Sequence, residues 1–440
     1  MTESVLRGPT AGITSSATVM MILLLVAAVL PVTGWQPASL PAQAATSDQG
    51  KQPIKIGYIV PLSGQSAEAG HRIVDGMNLY LDEIHHQMGG RPVQLIVESD
   101  ESSPPTAKAK VKKLVEQDKV NLLSGMYLSS CLYAIAPSVE QYQIPFVVVS
   151  AGANDVTQRK RNRWIIRTCY TSTICAHPMA EYAYKKLGYK RVVVIASDYA
   201  YGYEAAGGFQ QTFEELGGQV VQKLWAPLGF TDFTPLLKQI RKDADAVYLA
   251  NAGQSCEIIP KQFKQLGIRL PLVGVLANFD ESFYPRMGDE LVGGVSTSLY
   301  STALNTPANK RFVKAFEDKY NSDASYYSEH GYTAMMFIHK AIDSLKGQVD
   351  DKEKLLAALK ATELKQTPRG PLKIDDYGSA TVNIYVRKTE RQHGKLQNTV
   401  IFTYPNVSQF WKYPPEEYLK QPSYSKEYPP CTHCASSGPT

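Results

Sequence analysis

The side chains with the most evident chemistry in this sequence are six cysteines: Cys131, Cys169, Cys175, Cys256, Cys431 and Cys434. The short spacings 169/175 and 431/434 favour a disulfide bond within each of these pairs, although the sequence leaves other pairings open. A structural zinc site needs four ligands, and the run Cys431-Thr432-His433-Cys434 has no second cluster to complete one. Its order also differs from the C-x-x-C-H signature of haem attachment. We therefore expect disulfides or free thiols, and no metal.

The sequence lacks the motifs that position catalytic groups in the common enzyme classes. It contains no G-x-S-x-G, no H-E-x-x-H and no Walker loop. Gly202 and Gly207 have the spacing of a phosphate loop, but the required Lys and Ser/Thr do not follow. Asp75, Asp100 and Asp198 fall at the ends of predicted elements without forming an acid–base pair. We expect a binding protein that is not an enzyme and needs no cofactor.

Length and charge exclude further classes. The chain has 440 residues, 44% hydrophobic and 20% charged, which is typical of a globular protein with two domains. Its 46 basic and 41 acidic residues nearly balance. The densest basic stretch, 159–163, has no interleaved aromatic residues, so we expect no nucleic-acid partner.

The N-terminus has the organisation of a secretory signal peptide. Arg7 precedes an apolar run over 19–30, and Ala42-Gln43-Ala44 supplies a cleavage site. The run is about a dozen residues long, short of the ~20 that span a bilayer. An uncleaved anchor remains the alternative, because the segment between the run and the cleavage site is long. We predict a signal peptide over 1–44 and a mature protein in the periplasm.

Strands and helices alternate along most of the chain. A first α/β unit has predicted strands at 54–60, 93–98, 121–124 and 146–150. A second unit has strands at 191–196, 219–224, 246–250 and 272–275, and Thr234-Pro235 predicts the N-cap and first position of a helix that reaches Ile240. Helices at 307–320, 329–346 and 352–361 then precede strands near 381–386 and 397–403.

This order predicts two parallel sheets with helices on their faces. Ligands bind such sheets at the carboxyl ends of the strands, and two of these edges can face each other across a cleft. The segment 405–440 is rich in Pro, Tyr and Lys without a period, so we expect irregular structure there.

Several short motifs carry a family resemblance when they are taken in series. They are Ile54-Lys55-Ile56-Gly57, Pro61-Leu62-Ser63-Gly64, Gly70, Asp75-Gly76, Ile144-Pro145-Phe146, Ser197-Asp198, Tyr201-Gly202, Thr231-Asp232-Phe233 and Asp245-Ala246-Val247-Tyr248. Over 51–404 the chain resembles type I periplasmic binding proteins of the leucine/isoleucine/valine-binding family.

The resemblance implies two doubly wound parallel-sheet lobes joined by a three-segment hinge. It places lobe 1 at 51–168 plus 301–370 and lobe 2 at 176–297 plus 377–404, with crossovers near 167–175, 295–300 and 371–376. It implies a monomer that carries a small-molecule ligand to the permease subunits of an ABC transporter. A ligand-sensing regulator on the same fold is the alternative function.

The resemblance also implies site residues in the first lobe. Ser129, followed by Ser130, matches the family serine that binds a ligand carboxylate, and a hydroxyl beside free helix amides suits an anion. An ordinary serine N-cap is the alternative for Ser129. Ala151 and Ala153 match the loop that offers backbone groups to the same carboxylate, although the family usually has Thr at Ala153. Tyr201 matches an aromatic residue of the second lobe that closes over the ligand.

The remaining family positions depart from an amino-acid site. Leu276 stands where amino-acid binders have the acidic residue that receives the α-ammonium, and Ala252 stands where they have an aromatic residue. A buried ammonium without a counter-charge would cost several kcal/mol. We therefore expect a carboxylate lacking an α-amino group, with an aromatic or branched aliphatic body. The side chains that could line such a body are Tyr127, Tyr199, Tyr201 and Phe279. A binder of amino acids or amides is the alternative.

Overall fold

The computed structural model describes residues 52–434 of the chain. The predicted signal peptide, 1–44, lies outside the described residues. Among the described helices, each is too short or too polar to cross a membrane.

The elements follow one another in α/β order. The strands are β1 (Ile54–Val60), β2 (Gln87–Met88), β3 (Arg91–Ser99), β4 (Leu122–Gly125), β5 (Phe146–Val148), β6 (Ile165–Arg167), β7 (Arg191–Ser197), β8 (Gln219–Ala226), β9 (Ala246–Ala250), β10 (Leu272–Val275), β11 (Val295–Ser298), β12 (Glu363–Leu364), β13 (Leu372–Ile374), β14 (Ala380–Gln392) and β15 (Lys395–Val407). The helices are α1 (Ala67–Glu83), α2 (Pro104–Glu116), α3 (Ser129–Tyr142), α4 (Ala176–Lys185), α5 (Ala200–Glu215), α6 (Thr234–Leu237), α7 (Ser255–Gln265), α8 (Pro307–Tyr320), α9 (Tyr326–Ser344), α10 (Lys352–Ala361) and α11 (Pro415–Tyr418).

The first lobe is built on a sheet of order β2-β3-β1-β4-β5-β6. Its main strands are parallel, and β1 lies between β3 and β4 with Ile56 opposite Leu95 and Leu122. A strand that is covered on both faces needs a mainly apolar sequence, and β1 provides one apart from the half-buried Lys55. Helices α1, α2, α3, α8, α9 and α10 pack with this sheet and with one another.

The second lobe contains a sheet of order β12-β13-β14-β11-β10-β9-β7-β8, with β15 paired to β14. Strands β7 to β11 are parallel, whereas β14 runs antiparallel to β11. The β14–β15 hairpin has 13 residues in each strand. Both strands are longer than predicted, because the far end of the hairpin is polar and shows no strand pattern in the sequence. Antiparallel pairing of β14 with β15 holds this end together.

The chain passes between the lobes three times. It leaves the first sheet after β6 to enter α4, returns between β11 and α8, and passes again after α10. The ends of the passages are linked, since Arg167 donates its backbone N–H to Gly378 O at 2.8 Å. The two-lobed fold with a three-segment hinge is thus confirmed.

Two local predictions are wrong. Helix α6 begins with Thr234 inside it, with Phe233 at the N-cap position, and it ends at Leu237, before Ile240. The predicted Cys169–Cys175 disulfide is absent, because both thiols are buried and free. The Cys169 thiol points instead at the carbonyl oxygens of Ala151 and Tyr170, 3.7 Å away in each case.

The Cys431–Cys434 disulfide is formed. Its three-residue spacing lets the two residues meet within a single turn. The prediction for this pair is therefore confirmed.

Helices α1 and α9 cross at glycines, and this crossing positions the start of α9. A Cβ at Gly76 would lie 1.8 Å from Ser328 O, and one at Gly331 would lie 2.0 Å from Ile73 O. Backbone therefore packs directly on backbone, and no side chain fits between the helices. Because α9 begins at Tyr326, the crossing sets where its first aromatic rings stand.

Replacing Gly331 by Ala should force this crossing apart. We expect the free energy of unfolding to fall by about 1–3 kcal/mol, the usual cost of overpacking a core. Urea denaturation measures it, and Ser344→Ala, at an exposed position of the same helix, is the control. Equal stability of Gly331→Ala and the control would contradict the crossing described here.

Candidate functional site

The first-lobe wall of the site is the start of helix α3. The chain turns after β4 through Gly125 and Met126, both with positive φ, and the helix begins at Ser129. The N-cap residue is Leu128, and no side chain caps the helix. Ser129 lies inside the helix, so its alternative interpretation as the N-cap is wrong. The first amides of α3 thus point from a buried helix end without a side-chain acceptor, a geometry that favours an anion.

The hydroxyl of Ser129 is oriented by the neighbouring loop. Its Oγ accepts the backbone N–H of Ala153 at 2.9 Å. The hydroxyl proton therefore remains available for donation to another group. Ser130 is half-buried beside it, one position further into the helix.

Arg167 supports this loop from below. Its Nη1 donates to the carbonyls of Ala151 and of Tyr170, the latter at 2.9 Å, and its Nη2 donates to the carbonyl of Ala153 at 2.8 Å. The side chain is fully buried, and no carboxylate pairs with it in the described part of the chain. Its Nε has no hydrogen-bond partner among the described residues. A positive charge without a counter-ion thus lies directly behind the loop.

Aromatic rings from both lobes form the centre of the site. They enclose a cavity of about 10 Å³ lined by Tyr127, Tyr170, Tyr199, Tyr201, Asn251, Ala252, Ala277 and Tyr326. The ring of Tyr170, in the first passage between lobes, lies edge-on to that of Tyr201 with centroids 6.4 Å apart. Rings this close leave almost no open space, so the lobes are closed on each other.

The hydroxyl groups of these rings differ in their partners. Tyr127 Oη lies 3.1 Å from Tyr327 Oη and accepts the N–H of Gly253 across the cleft at 3.2 Å. Tyr170 Oη donates to Ser150 O at 2.5 Å. Tyr201 Oη is buried without a partner among the described residues. Burial raises the pKa of Tyr127 and Tyr201, so both phenols stay protonated.

A neutral imidazole stands behind the rings. His330 packs edge-on against Tyr326, with ring centroids 4.5 Å apart, and its Nδ1 lies 3.3 Å from Ser150 Oγ. Burial lowers the pKa of His330, and the positive charge of Arg369 lowers it further. Arg369 is itself paired with buried Glu329 at 2.5 Å. Arg167, in contrast to Arg369, has no carboxylate partner among the residues described.

Two buried carboxyl groups of the second lobe reach the first. Glu204 accepts hydrogen bonds from Tyr133 Oη, from the N–H of Asn154 at 3.2 Å and from Ser172 Oγ at 2.6 Å. Asp280 accepts the first N–H of α9 at 3.1 Å. Burial raises the pKa of each group to about 7. Both carboxyl groups already have donors of their own, and both bind across the cleft.

The structure divides the predicted site residues into two groups. Tyr127, Tyr201 and Ala252, together with Tyr199, line the cavity. The other four do not line the cavity. Ala151 and Ala153 accept hydrogen bonds from Arg167, Ser129 accepts the N–H of Ala153, and Ser130 follows Ser129 in the helix.

Leu276 and Phe279, two further residues of the second lobe that the sequence analysis named, lie in different surroundings. Leu276 is buried with φ +47, next to the cavity-lining Ala277, and its carbonyl accepts from Arg387 at 3.4 Å. Phe279 does not line the cavity; a Cβ at Gly274 or Gly294 would lie within 3 Å of its ring, so it packs beneath the sheet.

Sequence reasoning missed Tyr170, Tyr326, Asn251 and Arg167. The start of α9 had a signal that was available, since Ser325 forms a capping box with Ser328 and marks the helix start. No local pattern identifies Tyr170 or Arg167, which belong to a short strand and the passage after it.

The described residues contain no group of three or more His, Cys, Asp or Glu side chains placed to hold a metal ion. The polar groups around the cavity are hydroxyls, amides and a buried guanidinium. Such a set can orient a small molecule by hydrogen bonds and ring contacts.

Comparisons with known proteins agree with this arrangement. Residues 53–394 match the family model for periplasmic binding proteins. The Leu/Ile/Val-binding protein homolog 6 of Brucella abortus (strain 2308) is 30% identical over 379 residues, which cover 83% of this chain and 94% of the relative. Like the family, these relatives are solute-binding proteins and not enzymes.

Solved structures are similar over most of their length. A solute-binding protein of an ABC transporter from Rhodopseudomonas palustris BisB5, in complex with 3,4-dihydroxybenzoic acid, is 29% identical with a TM-score of 0.78, covering 81% of this chain and 98% of that one. Another from R. palustris, in complex with 4-hydroxybenzoate, is 30% identical with a TM-score of 0.77, covering 82% and 99%. The chain therefore belongs to the periplasmic binding protein family, within its type I, leucine/isoleucine/valine-binding branch.

Proposed function

We propose that this protein is the periplasmic solute-binding component of an ABC importer, and that it captures a carboxylate lacking an α-amino group. An aromatic acid is the ligand that the site favours, and a branched aliphatic acid is the smaller alternative. The observation that carries the proposal is the uncapped start of α3 at Ser129, with the unpaired charge of Arg167 behind the adjoining loop.

Electrostatics supports an anionic ligand. A carboxylate beside Ser129 would accept the free hydroxyl proton and the first amides of α3, and it would neutralise part of the field of Arg167. Because Arg167 is fully buried, water screens that field weakly. The ligand would thus supply the counter-charge that this region lacks.

The shape and chemistry of the cavity support an aromatic body. Five tyrosine rings surround the cavity, and flat rings stack or meet edge-on at low entropic cost. The unpartnered hydroxyl of Tyr201 suits a polar substituent on the ligand ring. The similar proteins that hold 4-hydroxybenzoate and 3,4-dihydroxybenzoic acid are consistent with this choice.

An α-amino acid is disfavoured by the second lobe. Leu276 offers no carboxylate, and the carboxyl groups of Glu204 and Asp280 are occupied by donors of the protein. A desolvated ammonium would therefore be unpaired. The name of the Brucella relative keeps a branched-chain amino acid as the second candidate.

Replacing Ser129 by Ala should weaken binding of 4-hydroxybenzoate by roughly 10- to 150-fold, since one hydrogen bond to a charged group is worth about 1.5–3 kcal/mol. Calorimetric titration measures the loss. Ser130→Ala, the neighbouring hydroxyl, is the control and should change affinity little. Unchanged binding by Ser129→Ala would remove this residue from the site.

Binding should also depend on pH through closure of the lobes. Glu204 faces Tyr133, Ser172 and the carboxylate of Asp155, which raises its pKa further. A carboxyl group that opens to water returns towards its ordinary pKa of 4.5, so the closed form takes up a proton. The stabilisation of closure by protonation is complete below that value and is lost as pH rises through about 7.

We therefore expect the affinity for 4-hydroxybenzoate to fall by about tenfold or more between pH 5 and pH 8. The ligand carboxylate stays ionised for most of this range. Glu204→Gln should reduce the pH dependence, and the double variant with Asp280→Asn should abolish it. A dependence of the same size in the double variant would show that other groups control closure.

A further inference from the structure

The segment that follows β15 is held against the body of the protein. We call residues 408–434 the C-terminal clasp; the family match ends before it, at residue 394. The clasp contains the short helix α11 and buries the rings of Phe410, Tyr418 and Tyr424. Its aromatic residues form a small apolar cluster of their own.

One side of the clasp binds the first lobe. Arg159, in the loop between β5 and β6, donates from Nε to Gln421 O at 2.6 Å and from Nη2 to Tyr418 O at 2.9 Å. Its guanidinium also lies 5.0 Å from the centroid of the Tyr418 ring. Asp155 pairs with Arg159 at 3.2 Å and accepts a hydrogen bond from Ser423 Oγ. Arg159, the first residue of the basic stretch in the sequence, thus binds the clasp.

The other side of the clasp binds the second lobe. The ring of Tyr424 lies on Gly207 of α5, where a Cβ would come within 2.4 Å of it. Tyr413 Oη donates to Glu215 at the end of α5 at 2.6 Å. Lys426 pairs with Asp198 at 3.0 Å, just after β7. Two further contacts anchor the end of the clasp to this lobe: Gln210 donates to Pro430 O and Lys223 donates to Pro429 O.

We propose that the C-terminal clasp is a non-covalent tether that stabilises the closed arrangement of the lobes. The clasp joins a first-lobe loop to a second-lobe helix, and the covalent passage between these two elements is the segment 168–175. Opening about that passage moves α5 relative to Arg159. The clasp cannot keep both sets of contacts, so one set must break when the lobes separate.

The clasp also contacts the cleft-side loop and the hinge region. The loop that the clasp contacts, 154–159, begins at Asn154. The N–H of Asn154 donates to Glu204 across the cleft. Gln409 of the clasp donates to Asp375 at 2.9 Å and accepts from Thr157 at 2.9 Å. Asp375 O accepts the backbone N–H of Gly378 at 3.0 Å, and Gly378 O in turn accepts the backbone N–H of Arg167 at the first passage. The clasp is therefore in contact with the first-lobe loop and with the hinge region.

The test measures lobe separation without any ligand, so it is independent of the proposed ligand. Spin labels at Lys112→Cys in the first lobe and Lys242→Cys in the second report the distance by pulsed electron resonance; both positions are exposed. The four free native thiols are buried. Arg159→Gln should raise the ratio of open to closed molecules by about a hundredfold or more, because two hydrogen bonds from a charged donor are lost.

The controls separate tethering from charge and from stability. Arg163→Gln makes the same charge change nearby, but Arg163 pairs with Glu353 within the first lobe, so the ratio should stay at the wild-type value. Tyr424→Ala breaks the second-lobe side and should open the protein as Arg159→Gln does. The double variant should open little further, because either change releases the same tether.

A wild-type distance distribution in both Arg159→Gln and Tyr424→Ala would overturn the proposal. So would equal opening by Arg163→Gln and Arg159→Gln, or fully additive opening in the double variant. Far-ultraviolet circular dichroism confirms that each variant is folded. Failure of the ligand proposal would leave these outcomes unchanged.

Discussion

The arrangement of this protein depends on one buried guanidinium. Arg167 ends the last strand of the first sheet, and its bonds hold the carbonyls of Ala151, Ala153 and Tyr170. The first two belong to the loop beside α3, and the third belongs to the first passage between lobes. A buried charge tolerates few geometries, because each lost hydrogen bond leaves it less compensated. The site loop and the hinge are therefore fixed to one another.

This linkage connects the binding wall to closure. Ser172 follows Tyr170 in the same passage, and its Oγ would lie 2.1 Å from a Cβ at Gly152, so the passage packs directly on the loop. Ser172 also donates to Glu204 of the second lobe. A continuous series of contacts thus runs from the Ser129 hydroxyl, through the loop and Arg167, to a carboxyl group that binds only when the lobes are together. If the ligand carboxylate binds at Ser129 as proposed, this series of contacts would couple its charge to lobe closure.

The sequence predicts the repeating elements well, because buried parallel strands and amphipathic helices have distinct periods. The strands β1, β9 and β10 and the helices α8 and α10 have the predicted bounds. Predictions failed where tertiary contacts decide the outcome. Nothing local distinguishes a disulfide at Cys169 from a thiol that faces carbonyl groups, or shows that α6 ends after Leu237.

The site was partly predictable, because the ends of the strands can be located from the sequence. Tyr127, Tyr201 and Ala252 follow strand ends, where the topology places ligand groups, and they line the cavity. Tyr326 comes from a helix of the third stretch, far along the chain from all three, and its place depends on the glycine crossing of α1 and α9. Arg167 carries no signal in the sequence, because its importance comes from having no carboxylate partner among residues 52–434.

The most direct measurement of the central claim is a calorimetric titration of the purified, ligand-stripped protein with 4-hydroxybenzoate, benzoate, isovalerate and leucine under the same conditions. We expect binding by the carboxylates that lack an amino group, tightest for the aromatic acids, and no measurable heat with leucine. Tight leucine binding with none by the three acids would contradict the interpretation of the Ser129, Arg167 and Leu276 region. The two-lobed fold and the family membership would stand in either case.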